Sequence, residues 1–152
     1  MKGKEKFLRR FIPNYAEITR GFTHLLKKDS EFVWDKVAHN AFEALKLSLT
    51  KAPLLFPPDY SRDYFLYLAA SEYTIGMVLV QEDDNHDEHV IYYSSRSLSS
   101  TEVKYQHVEK LALAAVQVVQ RFRHYVLSRK TTVISHCNPM QHILTHQLLG
   151  GK

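Results

Sequence analysis

The sequence has 152 residues and a net charge of +4, and 45% of its residues are hydrophobic. This hydrophobic share is sufficient for the core of one domain or two small ones, which argues against a disordered chain. The chain lacks a run of about 18 apolar residues, so we expect no membrane span. Its single cysteine, Cys137, excludes an internal disulfide and suits the cytoplasm or the nucleus.

The first 30 residues are basic, with eight Lys or Arg against three Asp or Glu. A basic arm suits the phosphate backbone of a nucleic acid, and it suits a solvated helix surface equally well. Pro13 ends one short helix and starts the next, in which Ile18, Phe22 and Leu25 keep helical spacing. This part of the chain is therefore predicted to be helical.

A longer helix is predicted after Asp35, which is a suitable N-cap residue. Its apolar face consists of Val37, Ala41, Phe42, Leu45 and Leu49. Pro53 ends the helix, and the adjacent prolines of the following string LLFPPDYSRD favour an extended linker. We therefore predict a helical segment over 1–57 and a second domain over 58–152.

The second domain begins with three predicted strands, at 64–70, 74–81 and 90–98. These strings are rich in aromatic and β-branched residues, and short connections join them, which is typical of an antiparallel meander. A fourth strand, at 131–135, follows a helix and is therefore expected to pair in parallel.

A long helix is predicted between the third and fourth strands, opening at Thr101 and Glu102. Its buried stripe is predicted to be Val108, Leu111, Ala112, Ala115, Val119, Phe122 and Val126. Pro139 and the string MQHILTHQLL predict a last helix. The chain is thus predicted to be a mixed α+β or α/β protein, in which N-terminal helices precede the order β-β-β-α-β-α.

This order is that of the first two-thirds of an RNase H-like fold, and several local strings carry a closer resemblance. FLRRFIPNYAEI and AFEALKLSLTKAPLLFPPD resemble the thumb or connection segment that follows the polymerase palm in gypsy-type LTR retrotransposon polyproteins. Three later strings resemble the RNase H domain that comes next: FLYLAASEYTIGMVLVQ, IYYSSRSLSSTEVKYQHVEKLALAAV and RFRHYVLSRKTTVIS. The resemblance implies a reverse transcriptase whose RNase H-like domain is incomplete here at its C-terminus. The variants YLAASE and EKLALA are similar to plant elements of the Tat lineage.

The resemblance implies two-metal phosphodiester hydrolysis, in which carboxylates hold two Mg²⁺ ions. It places the first Asp of the family at Ala69, the Glu at Leu111 and the second Asp at Ser135. Alanine and leucine have no metal-binding atoms, and a serine hydroxyl is a weak neutral ligand. Glu109, two residues before Leu111, is a remaining carboxylate, but one carboxylate cannot hold two metals. We therefore expect no bound cofactor and no catalytic residue.

Five basic residues crowd the end of the long helix and the turn after it: Arg121, Arg123, His124, Arg129 and Lys130. Cations stabilise a helix C-terminus, which explains them structurally. The functional interpretation is weak binding of an RNA–DNA hybrid through its phosphates. Four tyrosines nearby either stack on bases or belong to the core: Tyr92, Tyr93, Tyr105 and Tyr125.

Three further groups of polar residues are weaker candidates. His136, Cys137, His142 and His146 suggest zinc, but the paired Cys-x-x-Cys motifs of zinc sites are absent. Asp83, Asp84, Asp87 and Glu88 suggest either weak cation binding or an exposed turn. Ser71 and His136 lack the third partner and the G-x-S-x-G string of a hydrolase.

The residues described above are compatible with three functions. The first is a structural or nucleic-acid-binding module that joins the domains of a polyprotein. The second is a domesticated module that binds other polyprotein domains or a host protein, with no membrane partner. The third is an active RNase H, which the missing carboxylates oppose.

Overall fold

The computed structural model describes residues 8–28, 30–52 and 54–139. Its N-terminal part contains, in chain order, a 3-10 turn Arg9–Phe11, α1 (Tyr15–Ile18), α2 (Arg20–Thr23), a 3-10 turn His24–Leu26 and α3 (Lys36–Thr50). Asp35 caps α3 as predicted, because its Oδ1 accepts a hydrogen bond of 2.7 Å from Ala38 N. Phe22 and Leu45 lie in the core of this helical part, whose buried members are Ile12, Tyr15, Phe22, Leu25, Ala38 and Leu45.

The second part contains a four-stranded mixed sheet. Its strands are β1 (Tyr64–Ala70), β2 (Thr74–Glu82), β3 (Glu88–Ser97) and β4 (Thr131–Ile134), in the spatial order β3-β2-β1-β4. The first three strands form the predicted antiparallel meander, and β4 pairs with β1 in parallel. The mixed α+β prediction with helices before the sheet is therefore confirmed.

One face of the sheet packs against α4 (His107–Arg121), which is followed by the short helix α5 (Arg123–Val126). Alternate strand residues and one stripe of α4 form this core. Its most buried members are Tyr64, Leu66, Ile75, Met77, Leu79, Leu111, Val118 and Phe122.

The opposite face of the sheet packs against the N-terminal helices. Ala16 N in α1 donates a hydrogen bond of 2.9 Å to Ser95 Oγ in β3. Gly76 pairs with Ser95 in the sheet, and a Cβ at Gly76 would lie 3.6 Å from Asn14 Oδ1. The N-terminal helices therefore lie over β3 and over Gly76 of β2 on this face. The domain boundary placed at residues 57–58 stays a prediction.

The long helix begins later than the sequence predicts. Glu102–Lys104 is a 3-10 turn, and α4 starts at His107. The reason is that the Glu102 carboxylate accepts hydrogen bonds from Arg96 and from Ser99 N, which holds the chain in a turn. The capping box is instead formed by Gln106 and Glu109, whose carboxylate accepts from Gln106 N.

Two residues predicted to be buried are exposed. Val119 in α4 is 56% exposed and Val37 in α3 is 64% exposed. Both residues lie at the edge of the apolar face of their helix. The part of each helix that is buried is narrower than the apolar face read from the sequence. The predicted last helix lies outside the described residues.

None of the described helices is both long enough and apolar enough to cross a membrane.

Candidate functional site

The three positions at which the resemblance predicts metal ligands lie in different surroundings. Ala69, near the end of β1, is exposed and lines a cavity of about 220 Å³ together with Pro13, Asn14 and Gly76. Ser135 directly follows β4, and its hydroxyl donates a 2.5 Å hydrogen bond to Cys137 O. Because Ile134 pairs with Tyr67 and the two strands run in parallel, Ala69 and Ser135 end neighbouring strands.

The third position, Leu111, is 1% exposed and packs in the core between α4 and the sheet. The polar residues next to Leu111 in α4 are both engaged elsewhere. Glu109 caps the helix, and Lys110 Nζ donates a hydrogen bond of 2.9 Å to Glu72 O.

These positions do not fit a two-magnesium centre, because Ala69 and Leu111 have no oxygen ligand and Ser135 has only a neutral hydroxyl. Over the described ranges, no group of three or more His, Cys, Asp or Glu residues is placed to hold a metal ion. The zinc hypothesis depends on His142 and His146, which lie outside the described residues.

A carboxylate that the sequence analysis missed reaches the end of β1. Glu17 Oε2 in α1 lies 3.1 Å from Thr74 Oγ1 and 3.3 Å from Ser71 Oγ, and both hydroxyls donate to it. Ser71 Oγ and Thr74 Oγ1 lie 2.9 Å apart. Glu17 therefore fastens the helical part to the first hairpin, two residues along the chain from Ala69.

The acidic loop between β2 and β3 is an exposed turn that uses its carboxylates internally. Asp83 Oδ1 accepts hydrogen bonds from Asn85 N at 2.8 Å and Asp87 N at 3.0 Å. The hydrogen bond from His89, followed by those backbone amides, lowers the pKa of Asp83 to about 2. Asp84 pairs with Arg62 at 2.8 Å. These contacts account for the loop without a bound cation.

All five predicted basic residues are exposed and lie at one end of α4, in α5 and in the turn before β4. Arg121 lies over the ring of Tyr92 at 5.7 Å and donates to its hydroxyl at 3.3 Å. Arg129 Nε donates a hydrogen bond of 2.9 Å to Tyr60 O. Within the described ranges, none of the five forms an ion pair with a carboxylate. Their charge is therefore available to an anionic partner.

Aromatic side chains accompany this basic surface. Tyr125 in α5 contacts the rings of Tyr60, Tyr64, Phe122 and His124. Burial, and then the neighbouring Tyr60, raises the pKa of Tyr125. Tyr92, one of the four predicted tyrosines, packs edge-on against Phe122 at 5.1 Å and is partly buried. Tyr92 therefore belongs to the core. Tyr60 was missed, because it stands in a linker without periodicity.

Comparison with known proteins connects this arrangement to retroelements. The family described as "RNase H-like domain found in reverse transcriptase" matches residues 34–133. The Retrovirus-related Pol polyprotein from transposon 297 of Drosophila melanogaster is 36% identical over 151 residues, which are 99% of this chain and 14% of that polyprotein. The Transposon Tf2-3 polyprotein of Schizosaccharomyces pombe is 32% identical over 126 residues, which are 83% of this chain and 10% of that polyprotein. The chain thus spans about one seventh or less of these relatives.

Solved structures share the fold. The foamy viral protease-reverse transcriptase in complex with dsDNA matches with a TM-score of 0.78 and 23% identity, covering 95% of this chain and 30% of that chain. The same enzyme in complex with RNA/DNA hybrid matches with a TM-score of 0.77 and 23% identity, covering 99% of this chain and 20% of that one.

Proposed function

Because this chain belongs to the RNase H-like domains found in reverse transcriptases, we propose that it is a non-cleaving, nucleic-acid-binding module of a retroelement polyprotein. The observation that carries the proposal is the chemistry at Ala69, Leu111 and Ser135. Mg²⁺ dehydrates reluctantly and is held in such sites mainly by carboxylates, and these three side chains supply none. Hydrolysis by this domain would therefore lack the ions that stabilise the attacking and leaving oxygens.

The basic surface supports nucleic acid as the partner. Arg123 and Lys130 are exposed, and in the described ranges neither is paired with a carboxylate. Free cations of this kind bind phosphates by releasing condensed counterions. Two solved proteins of the same fold are complexes with dsDNA and with RNA/DNA hybrid, which is consistent with this ligand class.

The test is a titration of the purified chain with a labelled RNA–DNA hybrid in the presence of Mn²⁺. We expect a shifted hybrid whose RNA remains uncut, with an affinity that falls steeply as salt rises. The double variant R123A/K130A should bind more weakly and show a smaller salt slope. The matched control K51A/K104A removes two exposed lysines elsewhere and should bind like the unchanged protein. RNA cleavage that follows the protein through purification would overturn the proposal.

An exposed apolar patch favours a second candidate function, a module that binds another protein. The patch consists of Phe32, Val33, Trp34 and Val37, whose side chains are between 43% and 68% exposed. Patches of this kind mark interaction surfaces. The partner would be another polyprotein domain or a host protein. No hybrid shift at low salt, together with a salt-insensitive protein partner lost in F32S/V37S, would favour this function.

We further propose that the source is a gypsy-type element of a plant, close to the Tat lineage, and that the protein acts in the cytoplasm or the nucleus. The strings YLAASE and EKLALA support this assignment. Sequencing the genomic DNA on both sides of the coding segment tests it, since a retrotransposon polyprotein gene in a plant genome should surround the segment. A source other than a plant genome would exclude the assignment.

A further inference from the structure

Tyr60 presents an open aromatic ring at the edge of the basic surface. Its side chain is 59% exposed, and its ring is nearly parallel to that of Tyr125, with an angle of 10° and centroids 6.5 Å apart. Tyr125 is supported from behind by Tyr64 at 5.8 Å and Phe122 at 6.2 Å. The exposed ring is thus the outermost member of a packed aromatic cluster.

The loop that carries Tyr60 is held in place by hydrogen bonds from three directions. Arg129 Nε donates to Tyr60 O at 2.9 Å. The buried Gln81 side chain accepts from Asp59 N at 2.9 Å and donates to Asp59 O at 2.7 Å. Arg62 pairs with Asp59 at 3.1 Å. A ring on such a loop loses little conformational freedom when it binds a ligand, which favours affinity.

Positive charge lies beside this ring. Arg129 contacts the Tyr60 backbone directly, and Lys130 follows Arg129 in the chain. The nearest acidic residue in the chain, Asp59, is already engaged by Ser61 and Arg62. An aromatic platform next to unpaired cations is the arrangement that binds single-stranded nucleic acid, with bases on the rings and phosphates on the cations.

We propose that Tyr60 stacks an unpaired base of a single-stranded nucleic acid whose phosphates lie along Arg129 and Lys130. The ligand is single-stranded because a base inside a duplex has both of its faces covered by neighbouring bases. Stacking of this kind tolerates any base, since every base has a π-face. The inference rests on the proposed nucleic-acid binding and adds a ligand form and an anchoring residue to it.

The experiment measures the anisotropy of a labelled single strand of about twelve nucleotides, and of a blunt RNA–DNA hybrid of the same length, at low salt. Y60A should bind the single strand about ten-fold more weakly and the blunt hybrid within about two-fold of the unchanged protein. Y60F keeps the ring and should bind both ligands normally. Y60L keeps apolar area without a π-face and should resemble Y60A. Y73A removes an exposed tyrosine from the turn between β1 and β2 and is the matched control.

A second readout reports stacking directly. A 2-aminopurine in the single strand should lose fluorescence on binding the unchanged protein and Y60F, and keep it with Y60A. Normal single-strand affinity in Y60A or in Y60L would overturn the inference. In that case, weaker hybrid binding by R123A/K130A would still support the proposed function, without a stacking role for Tyr60. Failure of the unchanged protein to bind either ligand would overturn both.

Discussion

Arg96 and Glu102 form a two-point ion pair, in which Nη1 lies 2.7 Å from Oε2 and Nη2 lies 2.9 Å from Oε1. The same carboxylate accepts a hydrogen bond of 2.7 Å from Ser99 N, and Arg96 Nε donates to Gln117 Oε1 at 3.0 Å. These contacts connect β3, the turn after it and α4. The pair therefore fixes where the helix meets the sheet.

The ion pair between Arg96 and Glu102 should make the free energy of unfolding depend on pH. The hydrogen bonds from Arg96, and then that from Ser99 N, lower the pKa of Glu102 from 4.5 to about 2. Because the folded pKa lies below the unfolded one, the stabilisation is complete above about pH 4.5 and is lost as pH falls towards 2. At pH 7, E102Q should lower the free energy of unfolding by about 2 kcal/mol. Urea unfolding at several pH values should show that the difference in stability between E102Q and the unchanged protein shrinks below pH 4.5. The control E43Q changes an exposed ion pair and should leave the unfolding midpoint unchanged. An equal difference at pH 2 and pH 7 would contradict the prediction.

Gly21 allows α2 and α3 to approach closely. A Cβ at this position would lie 2.8 Å from Ala41 Cβ and 2.9 Å from Val37 O. G21A should therefore destabilise the protein by about 1–3 kcal/mol, because helix backbone has to move. In β2, G76A meets only Asn14 Oδ1 at 3.6 Å and should cost less than about 1 kcal/mol. Thermal unfolding of both variants tests the contrast, and equal melting temperatures would refute it.

Introducing carboxylates at Leu111 and Ala69 should lower the free energy of unfolding by unequal amounts. L111E places a charge in the core and should destabilise the protein by about 3 kcal/mol or more. A69D lies on an exposed position and should change stability by less than about 1 kcal/mol. L111M keeps the volume and is the control. Denaturant unfolding measures all three, and a stable L111E protein would show that this side chain has access to water.

Gln81 should control the order of the Tyr60 loop. Q81L leaves Asp59 N and Asp59 O without their hydrogen bonds and should lower the free energy of unfolding by about 1–3 kcal/mol. Q120L, on the exposed face of α4, should leave it unchanged. Amide hydrogen exchange provides the local measurement, since the Asp59 amide should exchange much faster in Q81L only.

Local patterns predict most of the fold but not the polar contacts that set its details. The strands have alternating or aromatic sequences, and β4 follows a helix, so their pairing could be predicted. The start of α4 could not, because Glu102 is a good helix residue whose carboxylate is drawn to Arg96, six residues earlier in the chain. Val119 was wrongly predicted to be buried, because the sheet covers only part of the apolar face of α4.

The candidate sites show the same division. The resemblance identified the positions Ala69, Leu111 and Ser135, but the burial of Leu111 depends on how α4 packs on β1 and β2. The basic cluster was predicted by composition alone, because five cations stand within ten residues. Tyr60 and Glu17 could not be predicted, since each gains its role from a contact across more than 50 residues of chain.

The hydrogen bond between Ala16 and Ser95 joins residues that are 79 positions apart. During translation, the N-terminal helices therefore leave the ribosome long before the third strand on which they pack. Until that strand arrives, the side of α1 that faces the sheet has no permanent cover and is open to other chains. Completion of this contact is a non-local event, so it should be a slow step of folding. The helical part is thus made before the sheet, but it is among the last parts of this fold to reach its native position.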